Sequence, residues 1–253
     1  MATQHHSTEP AATGLGQRLF NPIDRRLFLR YSGLTVATTG LLLAGCDDDD
    51  DTPTNQEVVD PANDPNASGA VNFGTGDFRV LNYAYALEQL EAAFYERVVS
   101  NFYSGISSEE RDILTDIRDH EVAHRDFFKK ALGTNAIGAL EPNFTSINFS
   151  SRDSVLTTAR TFEDLGVSAY NGAGKYLTDP NFLLAAGKIV SVEARHAAII
   201  RDLLKPKAKG EGAFAGDDVV NAQGLDVAME PRAVIAAADK YIRTNLNTNT
   251  LPG

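Results

Sequence analysis

Residues 81–95 read LNYAYALEQLEAAFY and have the residue spacing of a buried helix. Apolar residues recur at three- and four-residue intervals along this segment, which is the periodicity of one helical face. Glu88 and Glu91 fall on the same face as the apolar residues. The pattern therefore predicts a helix from Asp77, as its N-cap, to about Phe102, with acidic side chains that point into a core.

Three further helices of similar length are predicted downstream. Each begins at a Ser or Asp that can cap a helix, and each ends next to a Gly or Pro. The predicted helices run from Ser107 or Ser108 to Leu132, from about Ser151 to Gly174, and from the Asp179-Pro180 start to Leu204.

The connections between these helices follow a short, long, short pattern. The first and third connections are a handful of residues, so each helix pair is expected to form an antiparallel hairpin. The middle connection, residues 133–150, is too long for a tight turn and fits a crossover between the second and third helices. The expected fold is all-α, a four-helix bundle followed by a C-terminal extension at residues 206–253 with one helix from Glu230 to Asn245.

The motif Glu-x-x-His occurs twice, at Glu121 to His124 on the second predicted helix and at Glu193 to His196 on the fourth. An i, i+3 spacing places both side chains of a motif on one helical face. Only one other histidine follows residue 46, so this repetition exceeds what chance would produce. The two motifs predict a site in the bundle interior.

The other two helices supply one acid each, Glu88 and Glu163. Each acid is followed seven residues later by a tyrosine, Tyr95 and Tyr170 respectively. The chain thus reads as two copies of one hairpin, offset by 75 residues at the Glu-x6-Tyr element and by 72 residues at the Glu-x-x-His element. Glu91 shares the face of Glu88 and is an alternative ligand, but the matching tyrosine favours Glu88.

Four carboxylates inside one bundle need compensating charge, because burying each ion costs several kcal/mol. Two divalent cations would neutralise them. The chain has one cysteine, which excludes a Cys-rich zinc site or an iron–sulfur cluster within one chain. Because carboxylate and imidazole ligands suit iron or manganese, the predicted cofactor is two iron ions, with manganese or zinc as possible occupants.

Residues 81–95 resemble the first helix of the ferritin-like family that includes desiccation-related proteins, and the whole site is more distantly similar to bacterioferritin and rubrerythrin. The resemblance covers about residues 72–205 and implies a ferritin-like bundle, in which one long crossover is usual. It further implies that Glu121 and Glu193 bridge two metal ions. The terminal ligands that it implies are Glu88, His124, Glu163 and His196, and it assigns Tyr95 and Tyr170 to hydrogen bonds with ligand carboxylates.

Two departures from the relatives are visible. Bacterioferritin-like sites often place an acid before each bridging glutamate, where this chain has His120 and Val192. We expect His120 and Glu96 to be surface residues rather than ligands. No Cys-x-x-Cys pair exists for a rubredoxin-type centre, so an electron donor would have to be another protein.

The first 46 residues are similar to an export signal. The sequence RRLFLR at residues 25–30 resembles a twin-arginine signal, and LAGC at residues 43–46 resembles the lipobox of bacterial lipoproteins. We predict a signal peptide at residues 1–46, lipidation of Cys46, and a disordered acidic tether at residues 47–71. The protein is then exported and anchored by lipid to a membrane of the bacterial cell envelope, at the periplasmic face or at the outer membrane or surface.

The net charge of −11 argues against a nucleic-acid partner, because phosphate binding needs a basic surface. The leading hypothesis is a di-iron protein that oxidises Fe(II) or reduces dioxygen or peroxide in stress protection, with a homodimer as one option for its assembly. The alternative is a non-catalytic, desiccation-related protein in which the metal or the bare bundle is structural.

Overall fold

The computed structural model describes residues 69–253. The predicted signal peptide, Cys46 and residues 47–68 of the predicted tether lie outside the described residues. Val71, at the end of the predicted tether, belongs to a short strand. Within residues 69–253, no helix combines the length and the apolar character that crossing a membrane requires.

Four long helices make up most of the described chain. They are α1 (Gly76–Ser100), α2 (Ser108–Leu132), α3 (Arg152–Ala173) and α4 (Pro180–Leu204). Helix α1 packs mainly against α2, and α3 mainly against α4, so the bundle consists of two hairpins. The predicted all-α bundle is confirmed, and the segment between α2 and α3 is the long crossover. The apolar core lies between the four helices.

The helix starts follow the predicted caps with one exception. The side chains of Ser107, Ser151 and Asp179 each accept a hydrogen bond from a backbone N–H in the first turn of their helix. The prediction that Asp77 caps α1 is wrong, since α1 already begins at the preceding residue. The Asp77 carboxylate instead accepts hydrogen bonds from Thr178 and from the backbone N–H of Asp179. It therefore joins the starts of α1 and α4.

The C-terminal extension returns to the bundle in four short elements. These are helix α5 (Pro231–Ala238), a 3-10 turn (Asp239–Tyr241), strand β2 (Leu246–Asn247) and a second 3-10 turn (Thr248–Thr250). Strand β2 pairs in parallel with β1 (Val71–Asn72). The predicted helix to Asn245 is too long. The helix ends early because backbone groups beyond it form hydrogen bonds with the crossover instead. The Asn143 N–H donates to the Tyr241 carbonyl at 2.7 Å, and the Arg243 N–H donates to the Glu141 carbonyl at 2.8 Å.

The extension lies tightly on α3. The backbone N–H of Met229 donates to the Ser168 carbonyl at 3.0 Å. A Cβ atom at Gly172 would lie 1.8 Å from the Met229 carbonyl oxygen, so only glycine permits this approach. Beyond α5, the Tyr241 ring packs edge-on against Phe162 at 4.8 Å. The outer face of α3 is therefore covered by the extension.

Candidate metal centre

Five glutamates are buried in the middle of the bundle. They are Glu88 and Glu91 on α1, Glu121 on α2, Glu163 on α3 and Glu193 on α4, and none is more than 4% exposed. Each lies on the inward face of its helix among apolar residues. Because isolated charges are costly in such surroundings, the carboxylates need protons, partner charges or metal ions.

Two imidazoles lie among these carboxylates. Nδ1 of His124 is 2.8 Å from Oε1 of Glu193, and Nδ1 of His196 is 2.8 Å from Oε1 of Glu121. Although these distances are short, the atoms are not aligned as hydrogen bonds. The nitrogen and oxygen atoms converge on common points between the helices, as ligand atoms do around a cation.

The converging atoms form two sets, each of which could hold a metal ion. Within a set, four ligand atoms lie within 4.8 Å of one another. The first set is Glu88, Glu121, His124 and Glu193, and the second is Glu121, Glu163, Glu193 and His196. Glu121 and Glu193 are shared, which is the arrangement that bridging glutamates require. Glu91 belongs to neither set.

Two buried tyrosines form hydrogen bonds with the two glutamates that belong to only one ligand set each. The Tyr95 hydroxyl donates to Oε1 of Glu163 at 2.5 Å, and the Tyr170 hydroxyl donates to Oε1 of Glu88. Both bonds run from one hairpin to the other. Each leaves the Oε2 atom of its glutamate without a hydrogen-bond partner and thus available to a metal. Such bonds fix the orientation of ligand carboxylates.

The side chains fit a pair of cations. Eight buried atoms of the two sets have no hydrogen-bond partner: Oε2 of Glu88 and Glu163, both carboxylate oxygens of Glu121 and Glu193, and Nδ1 of His124 and His196. Unpaired buried polar atoms carry a full desolvation penalty, which metal coordination would remove. Six oxygens and two imidazole nitrogens are a donor set that suits iron, manganese or zinc.

Without metal, several of the carboxyl groups retain protons. Burial raises the pKa of Glu91 and of Glu121 well above the usual range, and the neighbouring carboxylates add to the effect. Burial also raises the pKa of Glu163 to about 7. Metal binding would therefore displace protons from this site.

The two imidazoles carry positive charge that balances the ionised carboxylates. Burial opposes their protonation, but the surrounding carboxylates raise the pKa of His124 well above its usual range and that of His196 to about 12. Burial likewise opposes ionisation of Glu193, yet the close approach of both imidazoles lowers its pKa to about 2. The metal-free centre thus contains imidazolium–carboxylate pairs.

His120 contacts the centre from outside. It is exposed, as predicted, but its Nδ1 lies 2.9 Å from Nε2 of His196, and the two rings stack at 5.2 Å. Burial and the two nearby imidazoles lower the pKa of His120. The sequence carried a signal for this contact, because His120 and His124 are four residues apart and share a face of α2.

Glu91 lies against α3. A Cβ atom at Gly166 would lie 3.1 Å from Oε1 of Glu91 and 3.9 Å from Oε2 of Glu193. Gly166 follows Glu163 by three residues, as Glu91 follows Glu88. The Glu91 carboxyl therefore lies beside a position that the second hairpin leaves without a side chain.

Residues 76–206 match a family model described as a ferritin-like domain. The match covers just over half of the chain and contains α1 to α4 with both ligand sets. A search of curated proteins finds no match for the chain.

Proposed function

From the premise that this chain belongs to the ferritin-like domain family, we propose that it is a di-iron protein of the cell envelope that oxidises Fe(II) or reduces dioxygen or peroxide in stress protection. The observation that carries this proposal is the pair of ligand sets that share Glu121 and Glu193. A shared pair of carboxylates holds two cations close together, which is what a two-metal redox site requires.

In this proposal each side chain has a defined task. Glu121 and Glu193 would be ligands of both metal ions, and Tyr95 and Tyr170 would keep the carboxylates of Glu163 and Glu88 in position. When bound, the iron pair supplies the electrons that reduce dioxygen or peroxide. The terminal ligands are Glu88, His124, Glu163 and His196, and manganese or zinc could occupy the same positions.

The proposed location rests on the sequence before residue 69. The lipobox-like LAGC sequence places Cys46 where lipidation would anchor the protein to a membrane. The acidic segment after Cys46 would act as a tether. Mass spectrometry of the membrane fraction should show an acylated N-terminus at Cys46, whereas an intact Met1 on the dominant species would contradict the anchor.

One observation favours the non-catalytic alternative. The contacts of His124 with Glu193 and of His196 with Glu121 balance charge inside the bundle without any cation. Such a bundle can fold metal-free, as a structural stress protein would. Redox activity, rather than metal binding alone, therefore separates the two functions.

The deciding experiment combines anaerobic titration with rapid mixing. Calorimetry with Fe(II) should show two ions per chain, and stopped-flow mixing with dioxygen or peroxide should show oxidation that saturates at two irons. Glu109→Gln, an exposed acid on α2, serves as the control and should behave like the parent. Two bound irons that dioxygen and peroxide fail to oxidise would support the structural alternative instead.

A further inference from the structure

An apolar cavity lies at one end of the bundle, where α1 and α4 begin. All four helices contribute to its wall, and its inner surface is apolar throughout. The wall includes Leu81, Ala84 and Leu87 of α1, Phe128 of α2, Tyr170 of α3 and Ala186 of α4. Dry apolar cavities in proteins bind apolar molecules and atoms such as xenon.

The size of the cavity limits what it can hold. The cavity has a volume of about 20 Å³. A single water needs roughly 10–15 Å³ by that measure. The cavity thus has room for one small molecule rather than for a lipid chain or a ring.

One wall of the cavity is shared with the metal centre. The Tyr170 ring lines the cavity, while its hydroxyl donates to Glu88 in the first ligand set. Phe128, also in the wall, is one helical turn beyond His124, and its ring lies 6.4 Å from that of Tyr170. A molecule in the cavity is therefore separated from the ligands by a single layer of side chains.

Exposed apolar side chains lie at the same end of the bundle as the cavity. Phe78, Leu183 and Leu184 are 40%, 47% and 60% exposed and lie in the first turns of α1 and α4. Asp77 holds these two helix starts together. Cδ1 of Leu183 would be 3.5 Å from a Cβ atom at Gly174, which lines the cavity. Apolar surface therefore continues from the exposed Leu183 side chain to the cavity wall at Gly174.

We propose that this cavity is a binding site for dioxygen, which it concentrates next to the metal centre. Dioxygen is apolar and diatomic, so it loses little on leaving water and fits the available space. Hydrogen peroxide donates and accepts hydrogen bonds that it would have to give up against the apolar surface of this cavity. That the bound dioxygen oxidises iron rests on the proposed function. The cavity adds to that function that dioxygen, rather than peroxide, is the oxidant.

The first test measures binding in the full chain without metal. Because dioxygen is paramagnetic, pressurising the sample with it should enhance methyl relaxation at Leu81 and Leu87 several-fold more than at Leu114, a buried leucine outside the cavity wall. Xenon should shift the same resonances. Equal effects at all buried methyl groups would overturn the proposal, whether or not the protein oxidises iron.

The second test fills the cavity and measures oxidation in the iron-loaded chain. Ala186→Val adds two methyl groups to the wall, and we expect the rate constant with dioxygen to fall at least fivefold while the rate constant with peroxide changes less than twofold. Ala185→Val, at a neighbouring position outside the wall, is the control and should change neither rate. Ala84→Leu fills the cavity from α1 and should give the same result.

Two outcomes separate this proposal from the proposed function. If the parent protein bound dioxygen in the cavity but oxidised no iron, the cavity proposal would stand and the proposed di-iron function would be refuted. If both cavity variants slowed dioxygen and peroxide equally, or slowed neither, the cavity would not be the dioxygen site, although the di-iron function would stand.

Discussion

The two hairpins of the bundle supply the same ligands but differ in what surrounds them. Each contributes one glutamate with a tyrosine seven residues later and one Glu-x-x-His motif, and the shortest contacts of the centre run between the hairpins. The first hairpin also carries Glu91 and His120, where the second has Gly166 and Val192. With symmetric ligands in asymmetric surroundings, the two proposed metal positions would not be equivalent.

The outer faces of the hairpins differ as well. Gly172 of α3 lies under the C-terminal extension, whereas Arg97, its counterpart 75 residues earlier on α1, is exposed. The second hairpin is thus fixed from outside by the extension. The first hairpin carries the additional polar groups next to the metal centre. The extension also contacts α1, where Arg79 donates to the Thr250 carbonyl at 3.3 Å, so only the additional polar groups of the centre belong to one hairpin alone.

The largest effect is expected from removing a carboxylate that both ligand sets share. Glu121→Gln and Glu193→Gln should each lower the affinity for both metal ions, by about a hundredfold or more, because each glutamate serves both positions. Glu88→Gln and Glu163→Gln should weaken one position each. Calorimetric titration with Mn(II), which avoids oxidation, would measure this. Loss of a single site in Glu121→Gln would show that Glu121 does not bridge.

A second prediction concerns the outer face of the second hairpin. Gly172→Ala should destabilise the protein by about 3 kcal/mol, because the new Cβ atom would collide with the Met229 backbone and displace the extension. Urea unfolding would measure the loss, and proteolysis near residue 229 should accelerate.

Gly187 of α4 offers a matched control for that substitution. A Cβ atom there would meet nothing within 4 Å, so Gly187→Ala should be neutral or stabilising by up to about 1 kcal/mol, as expected for alanine in a helix. Equal stability changes at Gly172 and Gly187 would show that the extension does not depend on this contact.

A third prediction tests the additional acid of the first hairpin. The folded-state pKa of Glu91 is raised by burial, so above the unfolded-state pKa of about 4.3 the folded protein binds more protons than the unfolded chain. Stability then falls as the pH rises. Glu91→Gln cannot ionise, and in the presence of chelator it should be more stable than the parent at pH 8, by roughly 1–3 kcal/mol, with little difference near pH 4.5.

Denaturant unfolding at several pH values would measure this difference. Glu96→Gln is a suitable control, since Glu96 lies on the same helix but is exposed and pairs with Arg125. If Glu91→Gln increased stability by the same amount at every pH, the cause would be better packing and not the removal of a buried group that ionises.

The fold was largely predictable because its signals are local. Helical periodicity, the caps Ser107, Ser151 and Asp179, and the length of the crossover are all visible in short windows of sequence. The internal repeat predicted which six side chains the structure brings together. The early end of α5 was not predictable, since it depends on hydrogen bonds to residues 141–143, about a hundred positions away.

The surroundings of the centre were predictable only in part. Glu91 was expected to compete with Glu88 for one place, but the structure buries both, because Gly166 leaves room for a second carboxyl. That room depends on two helices that are distant in sequence. His120 was expected at the surface, and its contact with His196 depends on the rotation of α2 against α4.

The smallest expected effect concerns this His120 contact. A partner on the outer nitrogen of a metal-binding imidazole orients the ring, and losing such a partner typically lowers metal affinity by about 10- to 100-fold. Because His120 is exposed, we expect the low end of that range. His120→Val should weaken the second ligand set, which contains His196, by about tenfold and leave the first set unchanged. Two-site calorimetry with Mn(II) would resolve the difference.

The reciprocal variant sharpens the comparison between the hairpins. Val192 occupies the position in the second hairpin that His120 occupies in the first, so Val192→His would place an imidazole toward the outer nitrogen of His124. We expect this variant to strengthen the first ligand set. Combined with His120→Val, it should exchange the order of the two affinities while the number of bound ions stays at two. If His120→Val weakened both sets equally, His120 would act through the stability of the bundle. A difference between the two metal positions would then require another cause, such as Glu91 or the contact of the extension with α3.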